Sequence, residues 1–410
     1  MYTKMTVKDV DVAHKRVLLR VDFNCPIYNG NVMDDTRIRE ALPTINYLID
    51  HDARIIIASH LGRPSGHGQF ESEFSMMPVA MRLIQLLGRP VTVIGGDQIA
   101  GEEALSASLA LKDGQIMMLE NLRFDDGEKA NDLRFVHRLA SLCDLYVNDA
   151  FGASHRAHAS IIGVPEFVPA VGGLLLAKEV NTQQAMLEHP EHPFVAILGG
   201  SKVSDKLGII ENLLGVADTI IIGGAMCFTF LKAQGYEVGT SMMEQDMVAT
   251  ASSILAKAKD KGVKLLIPVD VVCADEFSEG ANTKTVSVDA IPEDMMGLDI
   301  GPETCKIYRE AIMDAKTVFW NGPMGVFEFP SFEMGTRSVA EAVAESPAKS
   351  IIGGGDSVSA IRKFDLQDHV SFISTGGGAS MRLLEGKPLP GVTALMDKEP
   401  AEGAAAKAEA

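Results

Sequence analysis

The sequence predicts an α/β protein built as two doubly wound, parallel-sheet lobes joined by a hinge helix. Three observations carry that expectation. Short apolar runs alternate with helix-period segments along nearly all of the 410 residues, the rhythm of strands and crossover helices. Length favours two domains, since single cores seldom grow beyond about 250–300 residues. The runs also end in two different chemistries. Before residue 160 they end in cations and amides: RVDFN (20–24), ASHLGRP (58–64), LENLRF (119–124) and VNDAFGASHRAH (147–158). After residue 190 they end in glycine clusters: ILGGSK (197–202), IIGGAM (221–226), WNGPMG (320–325), IIGGGDS (351–357) and STGGGAS (374–380). Apolar runs closed by such clusters read as buried parallel strands, and open α/β sheets bind ligands at carboxyl strand ends. One lobe therefore offers point charges. The other offers bare backbone N–H groups suited to nucleotide phosphates. An anion-binding half paired with a nucleotide-binding half suggests a transferase.

Strands of the first lobe are expected at 16–22, 54–59, 91–94, 115–119 and 145–148. Helical patterns lie between them, among them 36–50 and 132–142. Thr36 is placed to cap the first of these, and Pro43 inside it predicts a break or kink. The second lobe repeats the rhythm, with strands near 194–198, 219–222, 263–267, 271–273, 317–320, 350–352 and 371–374. Its helices are expected at 204–214, 241–261, 303–314, 336–345 and 357–364. The first lobe spans 1–172 and closes on the Pro/Gly-rich PEFVPAVGG (165–173). A connecting helix follows over 173–189, and HPEHPF (189–194) ends it. The second lobe takes 190–380. The Ala/Glu-rich end of the chain has almost no large apolar residue, so 397–410 is expected to be a disordered tail.

Hydrophobic content of 46% and charged content of 22% are those of an ordinary globular protein. The formal net charge of −18 weighs against nucleic acid and anionic membrane as partners. That charge is unevenly shared: residues 1–180 carry −5 and the remainder −13, and seven of the ten histidines lie in the first stretch. The first lobe is thus the natural host for a small, highly charged anion. Five scattered cysteines (25, 143, 227, 273, 305) lack zinc-like spacing and read as reduced thiols. The first residues lack the apolar stretch of a signal peptide, and no run reaches the roughly 18–20 apolar residues of a membrane span. A soluble, cytoplasmic protein is expected.

The chemistry follows from the strand ends. Gly199, Gly200 and Lys202, with Lys206 one helical turn on, bring N–H groups and ammonium charges to phosphates. Asp356 in GGGDS is placed to meet Mg²⁺ riding on those phosphates. A single glycine cluster is equally explained by a turn's need for positive φ, but five in one lobe are not. No GxxxxGK[ST] and no GxGxxG opens a strand–helix unit, which excludes a P-loop and disfavours a dinucleotide fold. The cation set is Arg37, His60, Arg63, Arg123, His155 and Arg156. Any one Arg is most simply a surface ion pair, whereas four in the same strand-end or helix-start context suit phosphate and carboxylate. Asp22 and Asn24 close the first strand and are placed to bond substrate hydroxyls or orient these arginines. Glu328 is placed for ribose hydroxyls. The His155/His158 pair lacks a third ligand of suitable spacing for a metal. Cys25 has no catalytic base nearby and reads as a spectator.

Taken together these segments closely resemble the phosphoglycerate kinase family. RVDFNCP, DDTRI, SHLGRP, LENLRF, NDAFGASHRAH, LGGSKVSDK, IIGGAMCFTFLK, GLDIGPET, WNGPMGVFE, GGGDS and STGGGAS occur in order, followed by EGKPLPGVTAL (385–395), and so cover nearly the whole chain. The resemblance implies reversible phosphoryl transfer between 1,3-bisphosphoglycerate and Mg·ADP, giving 3-phosphoglycerate and Mg·ATP, by a monomeric, hinge-bending glycolytic enzyme. It implies a segment near 381–396 that returns to the first lobe. It places Asp22, Phe23, Asn24, Arg37, His60, Leu61, Gly62, Arg63, Arg123, Gly152 and Arg156 around the phosphoglycerate. It places Gly200, Lys202, Lys206, Gly224, Gly297, Leu298, Glu328, Gly353, Gly354, Gly355, Asp356 and Ser357 around the nucleotide, with Asp356 on Mg²⁺. Arg37, Lys202 and Gly377 would serve the group in transit, the last through a helix N-terminus at Gly376 to Gly378. Cys25, Ser201, Ala225 and Ser357 depart from the usual Val, Ala, Gly and Thr, and none removes a required charge.

Three other readings compete. A kinase for another carboxylate is disfavoured by the motif match. A two-lobed anion-binding protein without catalysis is disfavoured by the nucleotide-type glycine clusters, and a dehydrogenase by the missing GxGxxG.

Overall fold

Strands form where β-branched and aromatic residues run together, as in RIIIA, FVAIL and TIII. In this computed structural model, which describes residues 2–95 and 98–398, those runs assemble into two units. One unit comprises Met1–Thr182 and Pro388–Ala410, the other Gln183–Lys387.

The first unit holds β1 (Arg16–Arg20), a small hairpin of β2 (Ile27–Tyr28) and β3 (Asn31–Val32), then β4 (Arg54–Ala58), β5 (Val91–Ile94), β6 (Ile116–Leu119), β7 (Leu145–Asn148) and β8 (Ala170–Gly172). Its main sheet is parallel throughout, in the order β5-β6-β4-β1-β7-β8. Val17, Leu19, Ile55, Ile57 and Val147 pack with Ile38, Ile45 and Leu48 of helix Thr36–Asp50 in one core. That helix runs unbroken through Pro43, so the expected break does not occur. Pro43 lies on the exposed face, where a carbonyl that loses its partner can bond water. Asp35, not Thr36, is the cap residue. β8 lies within the Pro/Gly-rich stretch read as a boundary; its three residues are too few for a periodic signal, yet all are buried against β7.

The second unit holds β9 (Phe194–Leu198), β10 (Thr219–Ile222), β11 (Lys264–Leu266), β12 (Asp270–Ala274), β13 (Thr283–Ser287), β14 (Met296–Ile300), β15 (Thr317–Asn321), β16 (Lys349–Ile352) and β17 (Phe372–Ile373). Its main sheet is parallel in the order β11-β10-β9-β15-β16-β17, so the direction of winding reverses between β9 and β15. Alternate residues serve opposite faces: Phe194, Ala196 and Leu198 enter one core, Val195 and Ile197 the other. Expectation and structure differ at the run near 271–273. It is the centre of a separate antiparallel sheet, β13-β12-β14, not a member of the wound sheet. The helix expected over 204–214 starts only at Leu207, and the one over 241–261 starts at Val248 after a short 3₁₀ turn.

The connecting helix is Leu174–Glu188, and the chain passes from one unit to the other inside it, between Thr182 and Gln183. The second unit continues to Lys387, because helix Gly377–Leu384 packs within it; the return therefore begins at Pro388 and not at 381. Met5 N donates to Met396 O at 2.8 Å, Met396 N to Ala170 O at 2.9 Å, and Gly391 N to Ser154 O at 2.9 Å. Order extends past the expected start of the tail: Asp397 pairs with Lys4, and Lys398 with Asp9. The rest of the expected tail, 399–410, lies outside the described residues.

Candidate active site

In the first unit the carboxyl ends of β1, β4, β6 and β7 carry the predicted residues. Buried amides stitch these ends together. Asn121 Oδ1 accepts from Leu61 N at 3.2 Å and Arg123 N at 3.1 Å, and its Nδ2 donates to Leu61 O and Phe74 O. Phe23 N donates to Ser59 Oγ at 2.9 Å, and Gly62 N to Asn24 Oδ1 at 2.8 Å. Gly62 has φ +59°, and a Cβ there would fall 2.4 Å from the Phe74 ring, so only glycine lets the SHLGRP turn close.

On this scaffold Arg37, in the first turn of its helix, meets Asp22 Oδ2 at 2.6 Å. Burial alone would raise the Asp22 pKa, but Arg37 and its neighbours hold it down at about 2. Arg63 and Arg156 are exposed and have no side-chain partner among the described residues. Arg123 is buried and donates to Gly62 O at 2.6 Å, while its Nε has no partner. Burial and the nearby Arg156 and Arg20 lower its pKa to about 10. His155 Nδ1 is a second buried, unpartnered nitrogen, and Gly152 sits beside it in the turn after β7. Crowded cations with unspent donors form a socket for an anion. His60 corrects one expectation. Its place at a strand end puts it with the cations, but burial drives its pKa down to about 3, so it is neutral at ordinary pH.

Sequence reading missed the layer behind this cluster. Arg20 is 1% exposed and lies against His60, Ser160 and the fully buried Glu128. An arginine inside the apolar run RVLLRV was the available signal, since a buried charge demands a partner. Glu128 gave none. Among the described residues no group of three His, Cys, Asp or Glu side chains could hold a metal, His155 and His158 included.

In the second unit the glycine clusters end β9, β10, β15, β16 and β17, beside the winding reversal where such sheets bind ligands. Gly224 has φ +66°, and its Cβ would lie 2.4 Å from Gly200 O. Met226 N donates to that same oxygen at 3.1 Å. The glycines are thus what allows two loop backbones to touch. Lys202 is exposed, with no side-chain hydrogen bond or salt bridge among the described residues. Lys206 precedes helix Leu207–Leu213 instead of lying inside it, and its ammonium bonds Asn321 Oδ1. Burial lowers its pKa, an effect opposed by Asp205 and Asp356. Gly354 has φ +89° and leads into helix Gly355–Lys363, whose first turn carries Asp356, exposed and without a side-chain hydrogen bond or salt bridge among the described residues. Gly353 N is spent on Trp320 O. Ser357 is fully buried, with Oγ accepting Gly322 N at 2.5 Å, so it braces the turn from behind. Gly377 opens helix Gly377–Leu384 with nothing within 4 Å of its would-be Cβ. Glu328 is exposed. Gly297 and Leu298 lie on β14, where a Cβ on Gly297 would strike the Phe228 ring at 2.0 Å. Cys25 is buried and its pKa is raised to about 12, consistent with a spectator thiol.

Comparison with known proteins shows the family. The phosphoglycerate kinase family model matches residues 7–387. The chain belongs to the phosphoglycerate kinase family. It is 54% identical over 396 residues to the phosphoglycerate kinase of Rubrobacter xylanophilus, covering 97% of this chain and 99% of the relative. It is 51% identical over 403 residues to that of Thermosipho africanus, covering 97% and 99%. Among solved structures, the phosphoglycerate kinase of Coxiella burnetii superposes with TM-score 0.87 at 43% identity, over 95% of this chain and 98% of that one. That of Pyrococcus horikoshii superposes with TM-score 0.81 at 32% identity, over 95% and 98%. The chain is accordingly a kinase of the reversible, ATP-generating phosphoryl-transfer step of glycolysis, with phosphoglycerate and ADP or ATP as its ligands. Among the described residues no helix is long and apolar enough to cross a membrane.

Proposed function

We propose that the first unit binds the phosphoglycerate through Arg37, Arg63, Arg123 and Arg156, with Asp22, Asn24 and His60 supplying its hydroxyl and carboxylate contacts. Phe23, Leu61, Gly62 and Gly152 shape the socket. The second unit holds the nucleotide through the glycine turns and Lys202, Lys206, Glu328 and Asp356, with Gly297 and Leu298 bordering the base. The observation that carries the assignment is the pair of arginines, Arg63 and Arg156, left without side-chain partners beside the unspent Arg123 Nε. Guanidinium groups left free in a cluster repel one another and are stabilised by an arriving anion.

The donor set fits a magnesium ion that arrives with the nucleotide: one free carboxylate, Asp356, at a phosphate-facing helix start suits an ion that takes its other ligands from phosphate and water. When bound, the ion would offset phosphate charge. The chain's own residues do the rest. Transfer needs an in-line approach and compensation of charge on the three equatorial oxygens. Arg37, Lys202 and the N–H groups at Gly377 are the candidates for that work. The leaving group is a carboxylate, so no strong general base is needed. Because the two ligands belong to different units, catalysis requires motion about helix Leu174–Glu188 that joins them and excludes water. The enzyme is proposed to act as a cytoplasmic monomer without nucleic-acid or membrane partners.

Titration calorimetry on the full chain tests the division. Arg156→Ala should weaken 3-phosphoglycerate and leave Mg·ADP unchanged, and Asp356→Asn should do the reverse. Crossed or shared losses would overturn it.

A further inference from the structure

We propose that Arg20 is a positioning residue that locks His60 in its Nε2–H tautomer, so that a neutral imidazole presents a permanent N–H donor at the anion site. The proposal rests on the reading of that site given above. Its geometry, though, is internal to the first unit.

Arg20 closes β1 as a guanidinium with 1% exposure inside an otherwise apolar strand. Each of its groups is spoken for. Nε donates to Ser160 Oγ at 2.7 Å, Nη1 donates to Val21 O, and Nη2 stands 3.1 Å from His60 Nδ1. A guanidinium has donors and no acceptor. His60 Nδ1 must therefore offer its lone pair, which leaves the ring proton on Nε2. That nitrogen points the other way, 4.0 Å from Asp22 Oδ1 at the edge of the socket.

What fixes the tautomer also keeps the ring neutral. A second proton would have to sit on Nδ1, donor against donor and cation against cation. The groups that act on His60 are Arg20 on β1, Asp22 just past it, Arg123 past β6, and Glu128. Burial is the largest influence and opposes the charge, as do Arg20 and Arg123, while the two carboxylates favour it.

Arg20 is itself held from behind. Glu128 is fully buried and lies 3.8 Å from Arg20 Nη2. It accepts from Ser160 N at 3.0 Å and Ser160 Oγ at 2.7 Å, and His158 Nδ1 stands 3.6 Å away. Ser160 thus accepts from the arginine and donates to the glutamate, a relay that sets the guanidinium plane. Removing either charge would strand the other in the core. The functional gain is constancy. A histidine with an ordinary pKa would change charge across physiological pH and switch between donor patterns. A locked His60 contributes one N–H at every working pH.

The test reads the ring directly. Long-range ¹H–¹⁵N correlation spectra of the ligand-free full-length enzyme, with His60 assigned through His60→Gln, should show a neutral Nε2–H ring at pH 7 that does not titrate down to about pH 5. Arg20→Met should release it to a mixture of tautomers titrating in the ordinary histidine range. The KM for 3-phosphoglycerate should become pH-dependent, falling as the ring gains a proton and rising above the ordinary histidine pKa by the reciprocal of the Nε2–H fraction, about twofold for an equal mixture. Arg20→Lys keeps a donor and should restore the single tautomer. A wild-type ring with its proton on Nδ1, or charged at pH 7, overturns the proposal without any variant, so poor folding of Arg20→Met cannot shelter it. A spectrum unchanged in Arg20→Met overturns it as well. A fixed Nε2–H ring indifferent to added 3-phosphoglycerate would uphold the lock and overturn the site reading.

Discussion

Arg37 and Arg63 carry the same charge in the same cluster but stand in different company. Arg37 is aimed by Asp22 at 2.6 Å, whereas Arg63 is free. An aimed cation suits charge that develops in the transition state, and a free one suits charge already present in the ground state. Arg37→Ala should therefore lower kcat by about 10²-fold or more, while Arg63→Ala should mainly raise the KM for 3-phosphoglycerate. Steady-state kinetics at saturating substrate separates them; near-normal turnover of Arg37→Ala would refute the division. Gly224 is the residue-scale test in the other unit. Its positive φ and the Gly200 carbonyl 2.4 Å from a would-be Cβ leave no room for alanine. Gly224→Ala should cost about 2 kcal/mol or more in thermal unfolding and raise the KM for nucleotide. Arg63 and Gly224 stand out in the sequence as an Arg and a Gly that close apolar runs, and Arg37 as an Arg that opens a helix. Arg20 and Glu128 were not legible: what they do depends on which strands lie side by side, and no spacing in the chain records that. His60 shows the same limit, since its type suggested a charge that burial removes.

Among the elements, the parallel strands apart from β8 were readable, whereas of the antiparallel sheet only the run of β12 was, and its sheet was not. β9, β10 and β15 are continuous buried runs, as strands covered on both faces must be. β13 is TKTVS, with four of five residues exposed, and offers no apolar pattern. β14 of this sheet also carries a buried acid. Asp299 is 3% exposed and accepts Gly335 N at 2.7 Å and Ile300 N at 2.9 Å, which ties β14 to helix Met334–Glu345. Burial outweighs these bonds and raises its pKa to about 8. Because the folded value lies above the unfolded one, the native state binds this proton more tightly. Its contribution to stability is full below about pH 3.8 and is lost as pH rises to about 8. Urea denaturation across pH 5–8 should show a downward slope that Asp299→Asn flattens; a slope identical in the variant would exclude Asp299 as its source.

At the scale of the whole molecule, two predictions concern its ends and its motion. Deleting 399–410, which holds no large apolar residue, should leave melting temperature and activity unchanged. Deleting from Pro388 onward should destabilise the enzyme, because Leu389 and Leu395 are buried and Gly391 O accepts Asn148 Nδ2 at 2.9 Å. Equal effects of the two truncations would count against this. If turnover needs both ligands brought together, X-ray scattering should give a smaller radius of gyration with 3-phosphoglycerate and Mg·ADP together than with either alone. An unchanged radius would argue against closure. The return of Pro388–Lys398 to the first unit also bears on biosynthesis. Synthesis reaches most of the first unit before the second, yet the unit begun first is the one that is completed last. Its Met5 amide waits for Met396, whereas the second unit is complete at Lys387. The first unit therefore cannot be sealed until the segment through Met396 has been made, by which time every residue of the second unit is already in place along the chain.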